Sequence, residues 1–351
     1  MKEYTRRPIF FEENRVWRVY QGGHLLGRFL GGDETDGNFP EEWISSTVLA
    51  ANHVETKPNE GLSVIKGSDV TMRELGDTYP ELMYGHQKDL GVLVKYLDSA
   101  IRLPLQAHPD KAYSRQYFDS DYGKTEMWLI LATRENASIC FGFKEQLTKE
   151  EFSAIVERSR DEHDIMDGYL NRVPVKPGEV YLIPAKAVHA IGAGCLILEV
   201  QEPTDFTISP EYWCGDHLLN AHEMYMGLSK DIALDCFDYS LYGPECISVS
   251  RKTPRLLSEN DAFTWESLIS KEDTPCFSVN RYQVKTQMQL KRGPAIYVIA
   301  NGAGLIKGEQ YEITVKQGDY FFLPYAAKEL FSVVSESGSP IEIVECLPAG
   351  G

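Results

Sequence analysis

Two stretches of this chain follow one pattern: VKPGEVYLIP at 175–184 and VKQGDYFFLP at 315–324 share V-K-x-G-[ED]-x-[YF]-x-[LI]-P. An internal echo of this kind limits the possible folds, because it implies two related units that must each close a core of their own. In each copy a glycine makes a turn, an acidic residue follows it, and an apolar strand runs to a proline that cannot continue a ladder. The surrounding runs, MWLILAT, SICFGF, CLILEV and PAIYVIA, are short, apolar and punctuated by Gly, Pro and Asn. Their length and β-branched or aromatic content predict strands of a sandwich or barrel, so the fold is mainly β.

One helix interrupts this pattern. TKEEFSAIVERSR opens on Thr148 with Glu151 three residues on, a capping-box spacing, and Phe152, Ile155 and Val156 form an apolar stripe. A second helical stretch is expected within 217–232, and LDSAIRLPLQAHPDK is expected to carry a short turn or strand.

With 351 residues, 43% of them hydrophobic, the chain can bury a sizeable core, and its length suggests two domains. A formal net charge of −17 argues against nucleic acid and anionic membranes as partners, so any basic function is confined to a pocket. Seven cysteines without a C-x-x-C pair suit reduced thiols in a cytoplasmic protein, and neither a signal peptide nor an apolar run of transmembrane length is evident.

The first copy of the echo continues to His189, five residues past Pro184; the second has Glu329 at that offset. Only the first unit is chemically equipped. G-x5-P-x4-H is the second half of a pattern seen in cupins, jelly-roll barrels that hold a metal between facing strands. Upstream, LPLQAHPDK places Gln106 and His108 two apart, on one face of a strand, and GKTEMWLIL opens an apolar strand with Glu126. Each residue alone has a structural reading: a strand-end histidine satisfied in the core, a hydrogen-bonding glutamine, a glutamate that merely starts a strand. Together, in this order, Gln106, His108, Glu126 and His189 offer two imidazoles, a carboxylate and an amide oxygen. That set suits one Zn2+ per chain with open positions, and also admits Mn2+, Fe2+ or Co2+.

LPLQAHPDK, GKTEMWLIL and VPVKPGEVYLIPAKAVHAIGAGCLILEVQEPTD resemble three hallmark segments of the type I, zinc-dependent phosphomannose isomerases, and LGGDETDGNFPEEWISS resembles a fourth. The resemblance runs from about residue 15 to 210. It implies zinc on Gln106, His108, Glu126 and His189, with Lys124, Glu199 and Asp205 lining the catalytic site. It also implies two cupin barrels with a small helical insertion: residues 1–145 and 169–239 forming the catalytic cupin and its connecting segment, 146–168 the insertion, and 240–351 a metal-free cupin. The chain departs from the family at Ser209, four residues past Asp205, where an arginine is usual. Arg172, Lys111 and Lys186 are the candidates to compensate, although each reads first as a solvated charge.

The implied reaction converts an aldose to a ketose, mannose 6-phosphate to fructose 6-phosphate, by moving a proton between C1 and C2 through a cis-enediolate. Zinc supplies charge beside the sugar oxygens, and either Glu199 or Lys124 serves as base. The expected partner is therefore a small sugar or sugar phosphate. Two alternatives stand beside this reading: a related metallo-cupin acting on a different or non-phosphorylated sugar, and a sugar-binding cupin without catalysis. Ser209 favours both.

Overall fold

The apolar runs are strands, and the central ones are buried on both faces. In the computed structural model, which describes residues 1–52, 56–335 and 338–350, Glu126–Thr133 pairs antiparallel with Val180–Ile183 on one side and Cys195–Gln201 on the other. Leu93–Ser99 and then Glu41–Ile44 extend the sheet beyond Cys195–Gln201. The short strands Arg15–Val16 and Arg251–Lys252 complete a seven-stranded sheet. A three-stranded sheet of Ser138–Phe143, Leu170–Pro174 and His189–Ile191 closes over it. Trp128, Ile130 and Ile197 of the large sheet pack there with Ile139, Phe141 and Ile191 of the small one.

The same neighbour order recurs downstream. Phe277–Val284, Ile341–Pro348, Ala295–Asn301 and Tyr320–Leu323 follow one another as Leu93–Ser99, Cys195–Gln201, Glu126–Thr133 and Val180–Ile183 do. Phe263–Ile269 and the edge strand Arg255–Glu259 extend this second sheet, and a four-stranded sheet covers it. The repeated motif has one geometry. Gly178 and Gly318 adopt φ of 90° and 91°, a left-handed turn that glycine makes without strain. Their amides donate to Ile130 and Ile299 at 2.8 and 2.9 Å. The carbonyls of Pro184 and Pro324 then accept from Ala187 and Ala327.

Why the strands read as continuous apolar runs, not as alternating ones, follows from the packing of the two large sheets. Side chains alternate between faces along a strand. Trp128 and Ile130 point into the first barrel, whereas Met127, Leu129, Leu198 and Val200 enter a core shared with Val279, Ile296, Val298, Phe322 and Val344 of the second. Both faces are therefore dry. Glu42 of the first barrel accepts a hydrogen bond from the Tyr320 hydroxyl of the second within this seam.

Helix Lys149–Arg158 carries the expected capping box between Thr148 and Glu151, and it buries Phe152, Ile155 and Val156. The stretch 217–232 is helical over part of its length, as expected: after the short strand His217–Leu218 come the helix Ala221–Tyr225 and the start of the helix Lys230–Leu234. Further short helices, including His24–Leu30, Met72–Thr78 and Lys111–Tyr117, have too few turns to announce themselves by periodicity. All seven cysteines are buried and unbridged. No helix among the described residues is long and apolar enough to cross a membrane.

Candidate metal centre and its cavity

Register brings the three charged or imidazole ligand candidates together. Glu126 opens its strand opposite Ile183 and Gln201. His189 opens the strand His189–Ile191 and exchanges two backbone hydrogen bonds with Gln106, both 2.9 Å. The loop bearing His108 is fixed by Lys186 N donating to its carbonyl at 2.7 Å. As a result, His108, Glu126 and His189 offer ligand atoms that all lie within 4.8 Å of one another, and all three residues are buried.

The hydrogen bonds settle what those atoms can do. Nδ1 of His108 lies 2.9 Å from the Phe206 carbonyl, and Nδ1 of His189 lies 2.9 Å from the Ala187 carbonyl. A carbonyl only accepts, so each Nδ1 carries the proton and each Nε2 presents a lone pair. Those lone pairs face the Glu126 carboxylate, at 3.2 Å for His108 and 3.3 Å for His189. Acceptor meets acceptor. Both Glu126 oxygens and Nε2 of His189 lack a hydrogen-bond partner within the protein. Burial and the Lys124 ammonium push the His108 imidazole down to about 3, keeping it neutral. Burial would raise the Glu126 carboxyl, but with His108 neutral it is the positive charge of Lys124 beside it that holds it below the ordinary range. Buried lone pairs and a carboxylate converging on one point, with second-atom tethers on both imidazoles, fit a divalent cation.

Beside the cluster opens a cavity of about 250 Å³ lined by Gln106, Lys124, Glu199, Asp205 and Ser209 among others. Lys124 Nζ stands 3.1 Å from His108 Nε2 and 3.6 Å from Glu126 Oε2. Glu199 accepts from the Trp128 indole N–H at 3.0 Å and lies 3.2 Å from Lys95 Nζ. Burial, reinforced by the charge of Glu126, raises the Glu199 carboxyl. Asp205 takes both oxygens to Arg18 Nη2, at 3.2 and 3.1 Å, and accepts the Ala51 amide at 2.8 Å.

Lys95, Arg18 and Glu41 are cavity residues that the sequence did not single out. Lys95 lies opposite Glu199 across its strand pair, and Glu41 lies opposite Leu97. Burial would lower the Lys95 ammonium, yet Glu41, Glu199 and Asp205 together raise it. The segment EEWISS supplies the strand bearing Glu41 and the fully buried Trp43, whose ring lies 4.8 Å from Lys95 Nζ and 5.2 Å from the Arg18 guanidinium. Ser209 does sit in the cavity wall, but the candidates to replace an arginine there do not. Arg172 bonds Ser138 Oγ at 2.8 Å, Lys111 pairs with Glu202 at 3.4 Å, and Lys186 contributes its backbone to the His108 loop. The guanidinium in the cavity is Arg18, which comes from the N-terminal part of the chain.

Comparison with known proteins places these features in context. No family model matches the chain. It is 28% identical over 337 residues to the mannose-6-phosphate isomerase ManA of Bacillus subtilis, covering 93% of this chain and 95% of that protein. It is 26% identical over 333 residues to the mannose-6-phosphate isomerase of Streptococcus mutans, covering 92% of this chain and 93% of the other. Among solved structures, the mannose 6-phosphate isomerase from Bacillus subtilis superposes with a TM-score of 0.75 at 23% identity, over 97% of this chain and 99% of that one.

Proposed function

Because this chain belongs to the mannose-6-phosphate isomerase family of cupins and is an aldose-ketose isomerase, we propose that it interconverts mannose 6-phosphate and fructose 6-phosphate with one zinc ion per chain. One observation carries this reading: the tethered imidazoles of His108 and His189 turn their lone pairs toward Glu126 beside a cavity that also holds Lys124 and Glu199. His108, Glu126 and His189 would hold the ion, with Gln106, paired to His189 through the backbone, as the fourth ligand. When bound, the ion supplies positive charge next to the C1 and C2 oxygens of the open-chain sugar.

The chain's own groups do the rest. Glu199 is the base that moves the proton between C1 and C2, since its raised proton affinity lets one carboxylate both take and return it. Trp128 and Lys95 hold that carboxylate from two sides. Lys124 stands at the wall of the cavity, where it offsets charge developing on the sugar as the cis-enediolate forms. Asp205 positions Arg18 and the backbone at Ala51, which shapes the cavity rim. A coupled assay on free and 6-phosphorylated aldoses and ketoses, with zinc present, tests the proposal. Turnover of mannose 6-phosphate is expected, with loss on zinc removal and recovery on its return.

A second reading, a non-phosphorylated sugar, is favoured by one observation. Besides the pairs to Asp205, Arg18 spends Nε on Glu41 and Nη1 on Asn52, and Ser209 stands where a further guanidinium is expected. Higher kcat/KM on free mannose than on its 6-phosphate would select it.

A further inference from the structure

The second barrel repeats more than the glycine and proline of the echo. Glu345 lies opposite Asn280 on one neighbouring strand and Tyr297 on the other. Glu199 of the first barrel lies opposite Lys95 and Trp128 in the same manner. One strand further out, Trp265 lies opposite Tyr282 where Glu41 lies opposite Leu97. The wall that lines the sugar cavity in the first barrel therefore has a counterpart, position by position, in the second.

That counterpart is built of polar groups locked into one network. Glu345 accepts from Asn280 at 2.9 Å, Tyr297 at 2.8 Å and Tyr282 at 3.1 Å, and its side chain is 3% exposed. The Trp265 indole donates to Asn280 at 3.1 Å. Arg292 lies 4.8 Å above the Trp265 ring and is anchored by Glu345 at 3.5 Å and by the Tyr282 hydroxyl at 3.3 Å. This guanidinium is held in place without being consumed by its contacts, and its side chain is 31% exposed.

A cavity of about 700 Å³ opens over the network, lined by Trp265, Asn280 and Arg292 and by two more cations, Arg255 and Lys271. Glu272 is the one acid among the described residues of its lining, and it pairs with Arg255 at 3.4 Å. With Glu345 beneath Arg292, the lining and its floor carry three cations to two acids, a local surplus of positive charge in a chain of net charge −17 that suits an anion. Metal chemistry is not repeated there: Ala295 lies opposite Leu323 where Glu126 lies opposite Ile183, and Glu329 stands at the offset of His189.

We infer that the second barrel binds a phosphorylated monosaccharide, without turning it over, in the cavity floored by Trp265, Asn280 and Arg292. The phosphate meets Arg292, Arg255 and Lys271, for which a guanidinium fork is the apt partner, and the sugar lies against Trp265. The site is separate from the first barrel and stands whichever sugar that barrel turns over.

Equilibrium dialysis with labelled fructose 6-phosphate tests this, because it counts both isomers alike. The native protein is expected to hold two equivalents per chain and Arg292→Ala one, with turnover unchanged. One equivalent in both proteins overturns the inference. A single native equivalent that is lost in Arg292→Ala but kept in His189→Ala sustains it and instead removes sugar phosphate from the first barrel. If Arg292→Ala fails to fold by circular dichroism, the exposed change Lys271→Ala is expected to weaken second-site binding about tenfold, and an unchanged second-site Kd overturns the inference. Free fructose competing at that site as well as its phosphate does so too.

Discussion

The carboxylate of Asp205 is gripped through both oxygens by Nη2 of Arg18, two residues nearly the length of the first barrel's sequence apart. Their side chains are 10% and 12% exposed, so neither charge can turn to water if the other is lost. Arg18→Met is therefore expected to cost about 3 kcal/mol of stability, the scale of breaking a buried pair from one side. Arg18→Met with Asp205→Asn should regain part of that loss in chemical denaturation while activity stays low. Full activity in the double variant would show that the pair serves stability alone.

Zinc removal should cost both rate and stability. An ion bound a thousandfold above its Kd adds about 4 kcal/mol to the folded state, so chelation should lower Tm and zinc should restore it. His189→Ala is expected to lose the bound metal by elemental analysis while keeping a β-rich circular dichroism spectrum. A full equivalent of metal retained in that variant would place the ion elsewhere.

Glu199→Gln should lower kcat on the order of a hundredfold or more, as expected for loss of a general base, with KM little changed. The base works deprotonated, and burial raises its carboxyl. The acid limb of kcat/KM should accordingly lie above the usual glutamate range, with the rate rising as pH rises through it. A variant whose residual rate keeps the same limb would assign the limb to another group.

Glu42 gives the seam between the barrels a pH dependence. Burial raises its carboxyl from 4.5 to about 7, against the Tyr320 and Asn14 donors that favour the ionised form. Between those values the folded chain keeps a proton that the unfolded chain has released. The stabilisation is thus complete below pH 4.5 and is lost as pH rises through 7, by about 3 kcal/mol in all. Denaturation series from pH 5 to 8 should show this decline in the native protein and a flatter line in Glu42→Gln. Equal slopes would mean that Glu42 is ionised throughout.

How much of this was legible in the sequence depends on the range of the signal. Gly178, Pro184 and His189 lie within a dozen residues, and their turn, strand and ligand could be read together because local backbone geometry dictates them. The capping box of Thr148 and Glu151 is local in the same sense. Glu41 and Lys95 join the cavity only through pairing of strands far apart in sequence, and Arg18 through side-chain bonds to Glu41 and Asp205; each taken alone looks like a surface charge. For the same reason Lys111, Arg172 and Lys186 could not be seen to lie outside the cavity wall, nor could Arg18 be seen to enter it already paired with Asp205 and Glu41.

The shared core between the two large sheets bears on how this chain survives in a cell. A product ending near residue 250 would keep the first barrel's candidate ligands His108, Glu126 and His189 but expose Met127, Leu129, Leu198 and Val200 as one greasy face. Chaperones bind such a face and proteases clear it. Selection against nonsense and frameshift alleles would therefore preserve the second barrel through protein turnover alone, whatever it binds.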